Sequence, residues 1–139
     1  MITCTRRIQF CAGHRVLGHE NKCAHPHGHN YVVLVEAAAP DLDDVGRIID
    51  FSVLKHQVGG WIEDTWDHGF LIFREDLELH DFFDGSPWKY FLMDRNPTAE
   101  NMAELLLRDV GPLVLEGTDV TLTKVTLWET ENCFATAVL

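Results

Sequence analysis

The 139-residue chain contains no uninterrupted run of about 18 apolar residues, so a membrane-spanning helix is excluded. Its first residues, Met1-Ile2-Thr3-Cys4-Thr5-Arg6-Arg7, lack the apolar stretch of a signal peptide. The expected location is therefore cytoplasmic, where Cys4, Cys11, Cys23 and Cys133 stay reduced. The irregular spacing of these four does not suggest a disulfide framework. Positive charge is scarce: 11 Lys and Arg stand against 22 Asp and Glu, a net charge of −11. That balance speaks against DNA or RNA as partner. A small phosphorylated substrate remains compatible, because it needs only a local basic patch, and Arg6, Arg7, Arg15 and Lys22 are concentrated early in the chain. There are no repeats, no low-complexity tract, no linker and no His-Glu-x-x-His helix. With 46% apolar residues, the whole chain, 1–139, fits one domain with a sizeable core.

Histidine, by contrast, is concentrated. Cys23-Ala24-His25-Pro26-His27-Gly28-His29 packs one thiol and three imidazoles into seven residues, just before a strand-like run, Tyr31-Val32-Val33-Leu34-Val35-Glu36. Side chains on a strand alternate faces, so His27 and His29 point the same way and can share one metal ion. Pro26 cannot donate to a ladder, which places the strand start at His27. Upstream, Ile8, Phe10 and Ala12 alternate with Arg7, Gln9 and Cys11. If that strand runs on, His14 continues the Phe10 and Ala12 face and becomes a third ligand, matching zinc sites with three protein ligands and one open position.

Further along, Asp50 reads as the N-cap of a helix from about Phe51 to Trp66, weakened by Gly59-Gly60. Asp67-His68 follows it. Leu71 to Asn96 is the least regular segment, with a short helix expected near Glu75 to Phe83 and an extended Tyr90 to Met93. Thr98 reads as the cap of a second helix with a stripe of Met102, Leu105, Leu106 and Val110, ended by Gly111-Pro112. Asp119 to Thr130 and Cys133 to Leu139 suggest an antiparallel hairpin. The order strand, strand, helix, helix, strand, strand predicts an α+β domain: an antiparallel sheet with helices on one face.

Taken together, these segments resemble the 6-pyruvoyltetrahydropterin synthase family, which includes 6-carboxytetrahydropterin synthase. Cys23-x-x-x-His27-Gly28-His29 matches its signature, and Phe10-Cys11-Ala12-Gly13-His14 looks like its first zinc-histidine segment. Asp50-Phe51, Asp67-His68, Pro97-Thr98-Ala99-Glu100 and Trp128-Glu129-Thr130 follow in the family's order. Two departures stand out: His25 is an extra histidine, expected to face solvent, and Leu71 to Asn96 looks longer than in compact bacterial enzymes.

The resemblance implies a T-fold of four antiparallel strands and two helices, with subunits joined into a barrel. A homohexamer of two stacked trimers, with sites between subunits, is the expected assembly. It further implies a Zn²⁺ cofactor on His14, His27 and His29. Cys23 and the Asp67–His68 pair would move protons, Cys23 as a thiolate favoured by the metal and Lys22. Glu129 would accept hydrogen bonds from the pterin ring, and Glu100 and Thr98 are further substrate contacts, though capping explains Thr98 equally well. The implied reaction is conversion of dihydroneopterin triphosphate to 6-carboxytetrahydropterin, with acetaldehyde and triphosphate released, in queuosine biosynthesis. Triphosphate elimination to 6-pyruvoyltetrahydropterin is the alternative product. A non-catalytic zinc- or pterin-binding subunit, or another zinc enzyme using His68 or Glu100 as base, are readings of different class.

Overall fold

Alternation along the first two strands builds the centre of the sheet. The computed structural model describes residues 1–139. Strand β1, Cys4–His14, pairs antiparallel with β2, His27–Ala38, in a register that sets Phe10 against Tyr31, Ala12 against His29 and His14 against His27. Between them the loop carries a 3-10 turn, Lys22–Ala24. Tyr31, Val33, Val35 and Ala37 are all fully buried, as their shared parity predicts. The intervening Val32 and Leu34 are half-buried.

The first helical run is capped by the Asp50 side chain, which accepts a hydrogen bond from Ser52 N at 2.8 Å. It comprises α1, Phe51–Leu54, a π-helical stretch at Lys55–Gly59 and α2, Gly60–Thr65. The expected weak point at Gly59-Gly60 is thus where the helix changes pitch without breaking. Gly59 faces Ile8 of β1, where an added Cβ would lie in ordinary contact at 3.7 Å. The second run is capped by Thr98, which accepts from Asn101 N at 3.2 Å. It comprises α4, Ala99–Leu105, a π-helical stretch at Leu106–Val110 and α5, Gly111–Val114. Gly111-Pro112 does not end this helix. The proline sits in the first turn after the π stretch, where its missing N–H is tolerated. Leu54, Val58, Ile62 and Trp66 from the first run meet Met102, Leu106 and Val110 from the second over one face of the sheet, in a single core with Tyr31, Val125 and Leu127.

The sheet departs from the expected four antiparallel strands. It has six, in the order Tyr90–Met93 (β4), Gly69–Phe73 (β3), β1, β2, Thr121–Thr130 (β5) and Cys133–Val138 (β6). The additional pair is β3, Gly69–Phe73, and β4, Tyr90–Met93, parallel to each other, with β3 also parallel to the end of β1. Parallel strands need a crossover. Here it is α3, Leu77–Asp84, so the irregular Leu71 to Asn96 segment builds part of a β-α-β unit. Nor do all helices lie on one face: Phe83 of α3 stacks on Phe70 at 4.9 Å, and Phe70 pairs with Gly13, whose parity is opposite to the core. The C-terminal hairpin, β5 Thr121–Thr130 and β6 Cys133–Val138, is antiparallel as read. No helix is long and apolar enough to cross a membrane.

Candidate metal centre and acid–base pair

The core stripe of the central strands ends in histidines. Following Phe10 and Ala12 on β1 comes His14, 1% exposed, and preceding Tyr31 on β2 come His29 and His27. All three predicted ligands converge. His14 Nε2 lies 3.2 Å from His27 Nε2, and Glu129 Oε1 lies 3.1 Å from His14 Nε2 and 2.9 Å from His29 Nε2. The four donor atoms fall within 4.8 Å of one another and could hold a metal ion. Glu129 joins them because β5 carries Val125 and Leu127 on the core face and Glu129 extends that alternation beside Tyr31.

Two of the rings are fixed from behind. His14 Nδ1 is 2.6 Å from the Pro97 carbonyl, and His27 Nδ1 is 2.6 Å from the His25 carbonyl. A carbonyl only accepts, so each Nδ1 carries the proton and each Nε2 presents its lone pair to the cluster. Two lone pairs facing each other at 3.2 Å repel unless a cation lies between them. His29 Nε2 is buried and makes no hydrogen bond, its orientation toward Glu129 being unsuitable despite the short distance. Burial lowers the His29 pKa; the Glu129 carboxylate pulls it back up, and His14 and His27 push it further down. Neutral imidazoles around one carboxylate, with an orphaned nitrogen aimed inward, suit a divalent metal. Tyr31 Oη, 3.3 Å from His14 Nδ1, adds a second polar neighbour, and burial pushes its phenol pKa far up.

Asp67 and His68 form a separate group. The Asp67 carboxylate accepts from Cys11 N at 3.0 Å, and its other oxygen lies 3.1 Å from His68 Nδ1, within ion-pair distance of the ring of its own neighbour. His68 has φ of 60°, a left-handed conformation uncommon outside glycine, held by donation from its own N–H to the Cys11 carbonyl at 2.7 Å. Burial alone would raise the Asp67 pKa, but the hydrogen bonds from Cys11 and His68 and the nearby Lys89 charge carry it below the ordinary value.

Of the remaining expected residues, Cys23 is half-buried in the 3-10 turn and belongs to neither group within the chain. Thr98 is a cap, and Glu100 is exposed in the first turn of α4, where its charge complements the helix N-terminus. His25 is exposed as expected, yet its backbone carbonyl orients His27. Sequence reasoning missed three participants: the Pro97 carbonyl, the approach of Glu129 to the histidines, and Cys11 beside Asp67–His68. Only the last had a signal, since Cys11 N–H and thiol sit on the strand that delivers His14.

The sequence model of the 6-pyruvoyl tetrahydropterin synthase family matches residues 3–138. The chain belongs to this family. It is 39% identical over 135 residues to 6-carboxy-5,6,7,8-tetrahydropterin synthase of Rickettsia bellii, covering 96% of this chain and 98% of that protein. The enzyme of the same name from Aquifex aeolicus is 32% identical, with 91% of each chain covered. Among solved structures, Caenorhabditis elegans 6-pyruvoyl tetrahydropterin synthase superposes with a TM-score of 0.69 at 26% identity, covering 99% of this chain and 95% of that one. An uncharacterized protein from Wolinella succinogenes, WS1659, gives a TM-score of 0.81 at 21% identity over 99% and 97% of the two chains, which speaks to fold alone.

Proposed function

We propose that the chain is a zinc-dependent lyase that converts dihydroneopterin triphosphate to 6-carboxytetrahydropterin, releasing acetaldehyde and triphosphate. The observation that carries this reading is the convergence of three back-anchored imidazoles and a carboxylate on one point. The names of relatives at 39% and 32% identity support this product over the pyruvoyl one. His14, His27 and His29 would hold Zn²⁺, which when bound supplies Lewis acidity toward the hydroxyls of the substrate side chain.

The chain's own residues divide the remaining work. Asp67 holds the His68 Nδ1 proton, leaving Nε2 free to take a proton from substrate carbon and return it. Cys23 acts as the second acid–base group. Because it lies outside the Asp67–His68 group of its own chain, this role needs a neighbouring subunit, and a hexamer of two trimers is the assembly we propose. The half-buried Val32 and Leu34 face and the exposed Phe134 and Val138 on edge strand β6 are available for it. Glu129 offers two acceptor oxygens to the N–H and amino groups of a pterin. Anchoring the ring would require its carboxylate to turn away from the histidines it now approaches. An acidic chain with no long apolar helix suits a cytoplasmic enzyme of queuosine biosynthesis.

The family's name favours a second product, 6-pyruvoyltetrahydropterin. Anaerobic incubation of zinc-loaded protein with dihydroneopterin triphosphate separates the two. Acetaldehyde with 6-carboxytetrahydropterin is the expected result. Triphosphate release without acetaldehyde would move the chain to the pyruvoyl reaction, and no turnover with zinc verified would leave a binding subunit.

A further inference from the structure

Cys11 lies on the face of β1 opposite to the histidine cluster, since it alternates with Phe10 and Ala12. On that face its thiol, the Asp67 carboxylate and the His68 imidazole bring their ligand atoms within 4.8 Å of one another. The three are tied by hydrogen bonds from main-chain N–H groups that owe nothing to a ligand: Cys11 N donates to Asp67 Oδ1, and His68 N to Cys11 O. The positive φ of His68 is the backbone cost of that arrangement. Beside the group is an open cavity of about 380 Å³ lined by Cys11, Gly13, Gly28 and His68. Gly13 and Gly28 pair across β1 and β2, so the floor of the cavity is bare backbone. Lys89 spends its ammonium on the carbonyls of Glu63 and Asp67, not on the Asp67 carboxylate.

We propose that Cys11, Asp67 and His68 form a second site, for a borderline-soft divalent cation, whose occupancy withdraws His68 from proton transfer. Tetrahedral zinc with N, O and S ligands has donor-to-donor edges of roughly 3.3–3.8 Å. The group reaches that by closing about 1 Å, and the His68 side chain, 78% exposed, is free to make the move. The thiol proton leaves for solvent when the metal binds, and an imidazole nitrogen becomes a ligand. One position stays open to the cavity and His68 is exposed, which makes the site weaker and more reversible than the more buried histidine cluster. Excess metal therefore inhibits. The inhibitory half rests on the proposed role of His68; the existence of the site does not.

Full-length protein loaded with one zinc per chain is titrated with Co²⁺, and the thiolate-to-cobalt charge-transfer absorption is read in wild type, Cys11→Ser, Cys23→Ser and His68→Asn. The band should appear in wild type and Cys23→Ser. It should be lost, or need at least about tenfold more cobalt, in Cys11→Ser and His68→Asn. Activity is followed in parallel with a second equivalent of Zn²⁺. Wild-type turnover should fall at least about tenfold relative to its one-zinc value, with that ratio near one in Cys11→Ser. Absence of the band in wild type, or its loss in Cys23→Ser with retention in Cys11→Ser, would overturn the site. A band without inhibition of an active enzyme would overturn its regulatory consequence. If the protein turns over no substrate at all, the band alone still decides the site.

Discussion

Changing Asp67 to Asn separates the geometry of the acid–base pair from its charge. The aspartate accepts a hydrogen bond from Cys11 N and lies 3.1 Å from His68 Nδ1. The charge-assisted bond from Cys11 N contributes about 1.5–3 kcal/mol, against about 1 kcal/mol for a neutral one, and the solvent-exposed His68 contact contributes less than about 1 kcal/mol. Asparagine can keep its oxygen on Cys11 N–H, so that strand-to-loop tie survives at reduced strength. Its NH₂ then faces His68 Nδ1, and two donors cannot share a bond. The imidazole shifts its proton to Nε2 and accepts at Nδ1 instead. The ring stays in place while the nitrogen offered to substrate loses its lone pair. Fold stability should fall by about 1 kcal/mol, a change of about 4 °C in Tm for a chain of this size. Turnover should fall by about 10²–10⁴, the range for loss of a positioned general base or of the correct tautomer. That is about 3–5 kcal/mol of barrier, several times the stability loss. Steady-state kcat, zinc content and thermal unfolding on the same preparation test this. A kcat within threefold of wild type, with zinc retained, would refute the tautomer argument. A loss of zinc alongside activity would show that Asp67 acts through the histidine cluster.

Other perturbations address the remaining groups. His27→Ala should lose zinc and activity together, as metal analysis and turnover will show; stoichiometric zinc in the variant would remove His27 from the ligand set. Cys23→Ala should keep zinc and the oligomer while turnover falls by about 10² or more, and unchanged kcat would end its role as base. Glu129→Gln should raise KM for the pterin substrate about tenfold or more while the fold survives, since one acceptor oxygen becomes a mismatched donor; an unchanged KM counts against anchoring. Acid should release Arg15 from Asp76: hydrogen bonds from Arg15, at 2.6 and 2.7 Å, hold this buried carboxyl below its ordinary value. A depressed folded pKa contributes stability that is complete above the unfolded value of about 3.9 and is lost as pH falls through the folded one. Urea midpoints should therefore drop more steeply below about pH 4 in wild type than in Asp76→Asn.

Much of the central architecture could be read locally because it is encoded locally. The period-two pattern from His27 to Ala38 specified both the strand and the face of its histidines, and Asp50 and Thr98 marked both helix starts by side chains that do cap them. The parallel strands could not be read in the same way. Gly69-Phe70-Leu71-Ile72-Phe73 is a short apolar run whose period is ambiguous, and nothing in it names β1 and β4 as neighbours. Pro112 was read as a stop because the π stretch before it, which relieves the proline's missing donor, has no local signature. Glu129 entered the histidine cluster through the β2–β5 register across about a hundred residues, a tertiary relation that spacing does not carry. Cys11, Asp67 and His68 meet for the same reason, through the bond between His68 N and the β1 backbone.

The three clustered histidines are the last layer of the apolar core, stacked in strand register beyond Phe10, Tyr31 and Ala12. A core layer made of bases is self-repelling when nothing binds it and cohesive when a cation does. With the proposed metal bound there, folding and metal uptake would be one equilibrium: a ligand that binds only the native chain stabilises it by RT ln(1 + [L]/Kd), about 4 kcal/mol at a thousandfold excess over Kd. The abundance of folded protein in a cell would follow the supply of free metal, and scarcity would remove the protein itself as well as its activity.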